Sequence, residues 1–243
     1  MRNYELETKE RVAFIQNLLK TSGAKGIVFG NSGGKDSALV GILCKMACDN
    51  TIGVLLPCAS KRNYGLDADD GRVLAEQFGI ETRLVDLTPV REALLGELQG
   101  VTEPTPMALT NIAPRLRMTT LYAIAASEGL LVAGTGNRSE AYVGYFTKWG
   151  DGSTDFNPIA DLTVTEIYEF LRYLNAPACI IDKAPSAGLF DGQTDEDDMG
   201  VTYAQIDAVI NGEEIPPEKA AIIERMHRNS ENKRIGVQKF KYV

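Results

Sequence analysis

The chain is poor in the side chains that many catalytic and metal centres require. Its 243 residues include one histidine and four cysteines, and no two cysteines form a CxxC pair. We interpret His227 as a surface helix residue, which excludes Ser-His-Asp catalysis and metal centres built from histidines. The cysteines are expected to be reduced, structural thiols of a cytosolic protein. They are Cys44, Cys48, Cys58 and Cys179.

Long apolar runs and an excess of positive charge are also missing. No apolar stretch approaches the roughly 20 residues that a membrane-spanning helix needs, and the charged start MRNYELETKERVAF is unlike a secretory signal. With 25 basic and 33 acidic residues the net charge is −8, which disfavours general nucleic-acid binding. We therefore expect a cytoplasmic protein, a single domain over residues 1–243, with no nucleic-acid or membrane partner.

Short apolar strands alternate with helices along the first half of the chain. Apolar runs predict strands at 26–30, 51–56, 82–87 and 130–133, and helical spacing predicts the segments between them, with residues 100–110 as a loop. Further helices are predicted at 163–174, 202–210 and 217–229, with loops at 147–157 and 183–201. This alternation predicts an α/β fold, a Rossmann-like three-layer sandwich with a parallel sheet of about five strands and helices on both faces. Ligands of such sheets bind beyond the carboxyl ends of the strands.

The segment Gly-Asn-Ser-Gly-Gly-Lys-Asp-Ser follows the first predicted strand and begins a helix. Small residues let backbone N–H groups surround an anion, and the helix start adds partial positive charge. The segment lacks the spacing of a Walker A loop. It nevertheless predicts a phosphate site, formed by Gly30, Asn31, Ser32, Gly33, Gly34, Lys35, Asp36 and Ser37.

An aspartate inside a phosphate site needs a cation beside it. Phosphate would repel Asp36 unless Mg²⁺ bridges the carboxylate and the phosphate oxygens. The alternative is a tight glycine turn in which Asp36 caps the helix. The complete eight-residue string in a strand-to-helix context favours phosphate and metal binding.

The same string resembles the SGGxDS signature of the PP-loop ATP pyrophosphatases, which cleave ATP between its α and β phosphates. Later segments are similar to those of one member of that superfamily, the NAD synthetases. These are N-x-x-x-R-x-R-M at 111–118, G-T-x-x-x-x-E at 134–140, F-T-K-x-G-D-G-x-x-D at 146–155, and blocks that begin at 183 and 192. The resemblance runs in order from about residue 10 to 235.

The resemblance implies an ATP-dependent ligase with Mg²⁺ as its cofactor. Family members convert nicotinic acid adenine dinucleotide (deamido-NAD) to NAD. The pyridine carboxylate first attacks ATP and releases pyrophosphate, and ammonia then displaces AMP. Glutamine-using forms carry an additional amidase domain, for which this chain has no room, so we expect the donor to be free ammonia or ammonia from an amidase on another chain. Family members are homodimers.

Residue roles are carried over from the matching motifs. Thr135 and Ser186 would join the glycine loop in binding ATP, and Asp36 and Glu140 would hold the metal. Lys148, Asp151 and Asp36 are the expected catalytic groups. The expected deamido-NAD ligands are Arg115, Lys148, Asp155, Asn232 and Lys233.

Several interpretations compete with these roles. Glu140 also suits a solvated first turn of a helix, and the acidic run 195–198 is expected to be such a turn. Arg115 and Arg117 point about 200° apart on a helix, and the family pattern assigns the first to substrate and leaves the second structural. Two departures, Val164 for a lysine and Asn232 for a histidine, make plausible a PP-loop enzyme acting on another carboxylate or a carbonyl. A non-catalytic nucleotide-binding module is a third hypothesis, against which Asp36, Glu140 and Lys148 argue.

Overall fold

The sheet is parallel and has helices on both faces, as predicted. The computed structural model describes residues 2–59, 65–183 and 194–240. Within them, the strands are β1 (Gly26–Gly30), β2 (Thr51–Leu55), β3 (Glu81–Leu84) and β4 (Leu130–Ala133). Their spatial order is β3-β2-β1-β4. In register, Ile27 of β1 lies opposite Thr51 of β2 and Leu131 of β4.

Thirteen helices surround this sheet in the described part of the chain. In the first half they are α1 (Tyr4–Ser22), α2 (Lys35–Ala47), α3 (Leu66–Phe78), α4 (Thr88–Leu98), α5 (Pro106–Thr110) and α6 (Ile112–Glu128). After β4 follow α7 (Arg138–Val143), α8 (Val164–Tyr173), α9 (Ala178–Ile181), α10 (Asp195–Met199), α11 (Tyr203–Ile210), α12 (Pro217–Asn229) and α13 (Glu231–Arg234). None of the helices described is long and apolar enough to cross a bilayer.

The described sheet has four strands, where about five were predicted. The segment after residue 154 does run parallel to β4, but Phe156 and Ala133 form only an isolated bridge. Pro158 follows two residues later and has no N–H for a further ladder bond. A fifth strand is therefore not formed among the described residues.

Two apolar layers enclose the central strands. One face of the sheet packs on α1, α2 and α8 around residues such as Phe29, Leu39 and Phe170. The other face packs on α6, where Leu121 meets Val28. Each central strand is therefore buried on both faces, which explains its nearly unbroken apolar sequence.

The elements differ from the prediction at β3 and in two predicted loops, of which 183–201 contains α10 (Asp195–Met199). β3 ends at Leu84 rather than at residue 87, because its partner β2 stops before Pro57, which cannot donate to a ladder. The predicted loop 100–110 contains α5, whose N-cap Thr105 accepts from the Ala108 N–H and is followed by Pro106 in the first turn.

The strand order places a ligand site between β1 and β4. The chain progresses from β1 to β3 on one side of the sheet and then crosses to β4 on the other. The loops that leave β1 and β4 therefore diverge and open a crevice at their carboxyl ends. Both predicted metal ligands, Asp36 and Glu140, follow these two strands.

Candidate active site

Polar side chains of the glycine loop after β1 fix its conformation. Asn31 donates from Nδ2 to the Gly71 carbonyl at 2.9 Å, which anchors the loop to α3. The hydroxyls of Ser32 and Ser37 lie 3.1 Å apart. The N-cap of α2 is Gly34, whose lack of a side chain leaves the first turn without a capping oxygen. The positive end of α2 is thus directed into the crevice.

Gly33 is required by both its conformation and its surroundings. Its φ is +66°, a left-handed conformation that glycine adopts without steric cost. A Cβ at this position would lie 2.1 Å from the Asp67 carbonyl oxygen. The loop can therefore approach α3 closely only with glycine here.

Asp36 and Glu140 are brought together through one buried asparagine. Asn137 is the N-cap of α7, and it forms a capping box with Glu140 in which each residue's side chain accepts from the other's backbone N–H. The same asparagine donates from Nδ2 to Asp36 Oδ1 at 3.0 Å. The two carboxylates thus converge from the ends of β1 and β4.

Charge around this pair is balanced by a buried lysine. The Lys35 Nζ donates to Asp36 Oδ2 at 2.7 Å, and the Lys35 side chain is 6% exposed. Burial raises the pKa of Glu140, and the charge of Asp36 raises it further. Burial alone would lower the pKa of Lys35, but Asp36 and Glu140 together hold it above its ordinary value. The carboxylate pair thus attracts positive charge.

The glycine loop and the carboxylate pair form one side of a cavity of about 640 Å³, within the ~300–1,000 Å³ typical of small-molecule sites. Thr135 lies on its wall after β4. Lys183 also lines it and ties the loop to α3, donating from Nζ to Asp67 and to Asp70 at 2.7 Å each. Ser186, the other expected ATP ligand, lies outside the described residues.

The glycine-rich loop after α7 contributes Asp151 to the cavity wall. Asp151 Oδ1 accepts from the Thr147 N–H at 3.0 Å. Its carboxyl stays accessible from the cavity, yet desolvation by the surrounding protein raises its pKa. Lys148 points elsewhere, because its Nζ donates to the carbonyls of Asn232 and Gly236. This loop is therefore closed onto the C-terminal segment.

Of the two arginines of α6, Arg117 lines the cavity, whereas Arg115 is exposed and lies outside it. Arg117 donates from Nε to the Leu56 carbonyl at 3.0 Å, and burial lowers its pKa. Among the described residues, Arg115 donates to the Lys148 carbonyl, at 3.4 Å. The assignment of Arg115 to the dinucleotide remains a prediction, and Arg117 is the arginine that this structure directs to the cavity.

Asp155 and the C-terminal residues mainly bind the protein backbone. Asp155 accepts from the Val132 N–H at 2.8 Å. Lys233 lines the cavity, but its Nζ donates to the carbonyls of Gly144 and Phe146 at 2.7 Å each. Asn232 is exposed and lies outside the cavity wall.

Two further positions bear on the interpretation. Val164, where the family has lysine, is buried in an apolar cluster with Val143 and Tyr203. The acidic run does begin a helix, capped by Thr194, but its first residue is not solvated: Asp195 is buried and accepts from the Tyr203 hydroxyl at 3.1 Å.

Sequence reasoning missed Asn137 and Lys183 as organising residues. The Asn137 role had a detectable signal, since asparagine followed three residues later by glutamate is a capping-box pattern. The Lys183 ion pairs join residues 113 and 116 positions apart. Local spacing carries no signal for such contacts.

The fold and the loop define an α/β nucleotide-binding protein of the PP-loop class. Residues 7–238 match the sequence profile of NAD synthase. The chain is 45% identical over 235 residues to the NH(3)-dependent NAD(+) synthetase of Carboxydothermus hydrogenoformans, covering 96% of each chain. The chain therefore belongs to the NAD synthase family.

Solved structures agree with this assignment. The structure of NMN synthetase from Francisella tularensis superposes with a TM-score of 0.94, at 35% identity, over 100% of both chains. The NH3-dependent NAD synthetase from Campylobacter jejuni superposes with a TM-score of 0.80, at 29% identity, over 99% of this chain and 100% of that one.

Proposed function

We propose that the protein amidates deamido-NAD with ammonia to give NAD, consuming ATP and releasing pyrophosphate and AMP. The observation that carries the proposal is the convergence of Asp36 and Glu140 beside the glycine loop. A non-catalytic nucleotide-binding module has no need of this carboxylate pair. The relatives named NH(3)-dependent NAD(+) synthetase match at 36–45% identity over most of the chain.

The first step joins two anions, so positive charge must be supplied. A carboxylate oxygen of the substrate attacks the α-phosphorus of ATP, the bond to the bridging oxygen breaks, and pyrophosphate leaves. The N-terminus of α2 and the loop hydroxyls of Ser32 and Ser37 are placed to bind phosphate oxygens. Arg117, with its planar and permanently charged guanidinium, is the cavity residue best suited to an anionic group of either substrate.

The carboxylate pair fits a magnesium ion. Mg²⁺ prefers hard oxygen ligands. Burial and then the charge of Asp36 raise the pKa of Glu140, and a divalent cation between the two carboxylates would favour the charged form of both. Asp36 and Glu140 would hold the ion. When bound, it would neutralise phosphate charge and polarise the phosphoryl group.

The second step needs ammonia rather than ammonium. Asp151 faces the cavity, and its raised pKa suits a group that accepts a proton from entering ammonium. Ammonia then attacks the acyl carbon of the adenylate, the bond from that carbon to the AMP oxygen breaks, and one proton leaves the nitrogen. Lys148 is the candidate cation for the adenylate if the loop opens from the C-terminal segment.

The setting of this activity follows from the same proposal. We expect free ammonia as the nitrogen donor, a single catalytic domain and a cytoplasmic location. We also expect a homodimer, because α4 (Thr88–Leu98) has no residue that is buried within the single chain. Val90 and Leu94 of that helix are 50% and 39% exposed, and Met107 of α5 is 75% exposed. A second copy of the chain would cover this apolar surface.

The test is an omission assay on the purified protein with ATP, MgCl₂, deamido-NAD and ammonium chloride. NAD formation should require all four components. It should fall at least about 100-fold in Asp36→Ala but stay unchanged in Asp49→Ala, whose carboxylate is fully exposed. Pyrophosphate release without NAD, or no turnover by a folded protein that binds ATP, would contradict the proposal.

A second candidate is the amidation of the mononucleotide, nicotinic acid mononucleotide, to NMN. It is favoured by the TM-score of 0.94 to the NMN synthetase, against 0.80 to the NAD synthetase. The chemistry would be identical, and the substrate would lack the adenylyl half. Values of kcat/KM for the two acids, measured in parallel, distinguish the candidates: a higher value for the dinucleotide supports the first, and the reverse identifies the second.

A further inference from the structure

Lys35 occupies a position that local physics disfavours. It is the first residue of α2, where the partial positive charge of the helix end repels a cation. Its side chain is also only 6% exposed, and lysine is rarely so buried without a partner. A lysine here needs a compensating interaction from the tertiary structure.

That compensation comes from the proposed metal ligands. The Lys35 Nζ lies 2.7 Å from Asp36 Oδ2 and 5.3 Å from the centroid of the Tyr203 ring. The ring is itself held by its hydroxyl, which donates to Asp195 Oδ2. The ammonium is therefore fixed beside Asp36, within the electrostatic influence of Glu140.

Both oxygens of Asp36 thereby accept a hydrogen bond. Asn137 Nδ2 donates to Oδ1 at 3.0 Å, and Lys35 donates to Oδ2. Asn137 is buried and locked in the α7 capping box. Lys35 is the partner that can leave, since its ammonium ends a flexible four-carbon stem.

We propose that Lys35 is an internal counterion that occupies the metal-binding oxygen of Asp36 until Mg²⁺ and ATP arrive together. The proposal rests on the magnesium role of Asp36 given above. A metal ion held by Asp36 would displace the ammonium, which would then bind a phosphate oxygen of the nucleotide that enters the same cavity. Lys35 thus makes metal binding and nucleotide binding interdependent, and this coupling must act equally in both directions.

Removing Lys35 should raise the metal affinity of the nucleotide-free protein and reduce the further gain in metal affinity that a nucleotide brings. The protein without nucleotide should bind a divalent cation more tightly in Lys35→Met, because no ammonium competes for Asp36. The same variant should gain less metal affinity when a nucleotide is added, because the displaced ammonium no longer binds phosphate. A purely structural lysine would change stability and leave metal affinity unaltered.

The experiment measures Mn²⁺ binding by electron paramagnetic resonance, first without nucleotide and then with α,β-methylene-ATP. Without nucleotide, Lys35→Met should bind Mn²⁺ about tenfold more tightly than the wild type, and Lys35→Arg should resemble the wild type. With the analogue, Mn²⁺ affinity should rise more in the wild type than in Lys35→Met. Adding Asp36→Asn to Lys35→Met should abolish the tight binding.

The matched control is Lys233→Met, which removes a cation from the same cavity wall that donates to carbonyls rather than to a carboxylate. Its Mn²⁺ affinity should change less than twofold. Circular dichroism verifies folding, and Lys35→Gln serves if Lys35→Met does not fold. Equal Mn²⁺ binding by the wild type and the Lys35 variant, including none by either, would overturn the proposal. A tenfold gain without any NAD formation would leave it standing and refute only the proposed function.

Discussion

One buried carboxylate is predicted to set the stability of the site. Asp207 of α11 accepts hydrogen bonds from the Ser139 hydroxyl and from both the N–H and the hydroxyl of Thr165. Ser139 in turn accepts from the Val164 N–H at 3.0 Å. Asp207 therefore joins the starts of α7 and α8, and Ser139 directly precedes Glu140, the proposed metal ligand.

The cost of Asp207→Ala follows from this count of donors. Three donors lose a charged acceptor inside the protein, where hydrogen bonds to charged groups are worth about 1.5–3 kcal/mol each. Partial rehydration of the vacated space makes the sum an upper bound. Three such bonds sum to about 4.5–9 kcal/mol, and we therefore expect a net loss of about 3–4 kcal/mol. For a chain of this size the melting temperature should fall by about 6–16 °C.

Urea denaturation followed by circular dichroism measures this loss, and Asp49→Ala is the control. The Asp49 side chain is fully exposed, so its loss should change the free energy of unfolding by less than about 0.5 kcal/mol. Because Asp207 positions Glu140 without lining the cavity, KM for MgATP should rise more than kcat falls. A destabilisation below about 1 kcal/mol, or equal effects in both variants, would refute this account of the network.

Two further substitutions test the loop and the packing of α1. Gly33→Ala should lower ATP affinity at least about tenfold by calorimetry, because its Cβ would lie 2.1 Å from the Asp67 carbonyl oxygen. The control is Gly96→Ala, which has open space around its Cβ and should bind ATP normally. Normal ATP binding by Gly33→Ala would contradict this account of the loop. Burial raises the pKa of Asp161, but its hydrogen bond with Arg11 and the charges of Arg11 and Arg2 together lower it more, and the net pKa lies below its usual value of 3.8. Its stabilising contribution is therefore present above about pH 3.8 and lost as the pH falls through the lower folded-state pKa. Asp161→Asn should cost about 0.5–1 kcal/mol at pH 7 and close to nothing near pH 2, and a loss that does not vary with pH would argue against the ion pair.

The order of elements was largely readable from the sequence. β1 is predicted by an apolar run that closes on glycine, and the structure gives the same bounds, Gly26–Gly30. α8 was predicted from its capping box, and Thr163 and Glu166 form that box in the structure. These signals are local, since a cap depends on residues three apart and a buried strand on neighbours in the chain.

The ends of strands and the number of strands were harder to predict from the sequence. A strand ends where its partner ends, so the boundary of β3 depends on Pro57 of a neighbouring strand. The prediction of a fifth strand was wrong for a comparable reason. Pairing beyond the bridge between Ala133 and Phe156 depends on two backbone segments that come together only in the folded protein. Propensity along the chain carries no information on such partners.

By itself, the sequence determined the parallel α/β class, the place of the glycine loop after β1 and the family, because these depend on short-range patterns and on ordered motifs. The tertiary structure alone decided which cations face the cavity. Arg115 and Arg117 are the same residue type two positions apart, and the orientation of α6 against the sheet directs Arg117 into the cavity. Likewise, only the meeting of β1 and β4 brings Asn137 onto Asp36 and leaves Lys35 as its counterion. Asn137 and Asp36 lie 101 residues apart along the chain, so no local pattern predicts their contact.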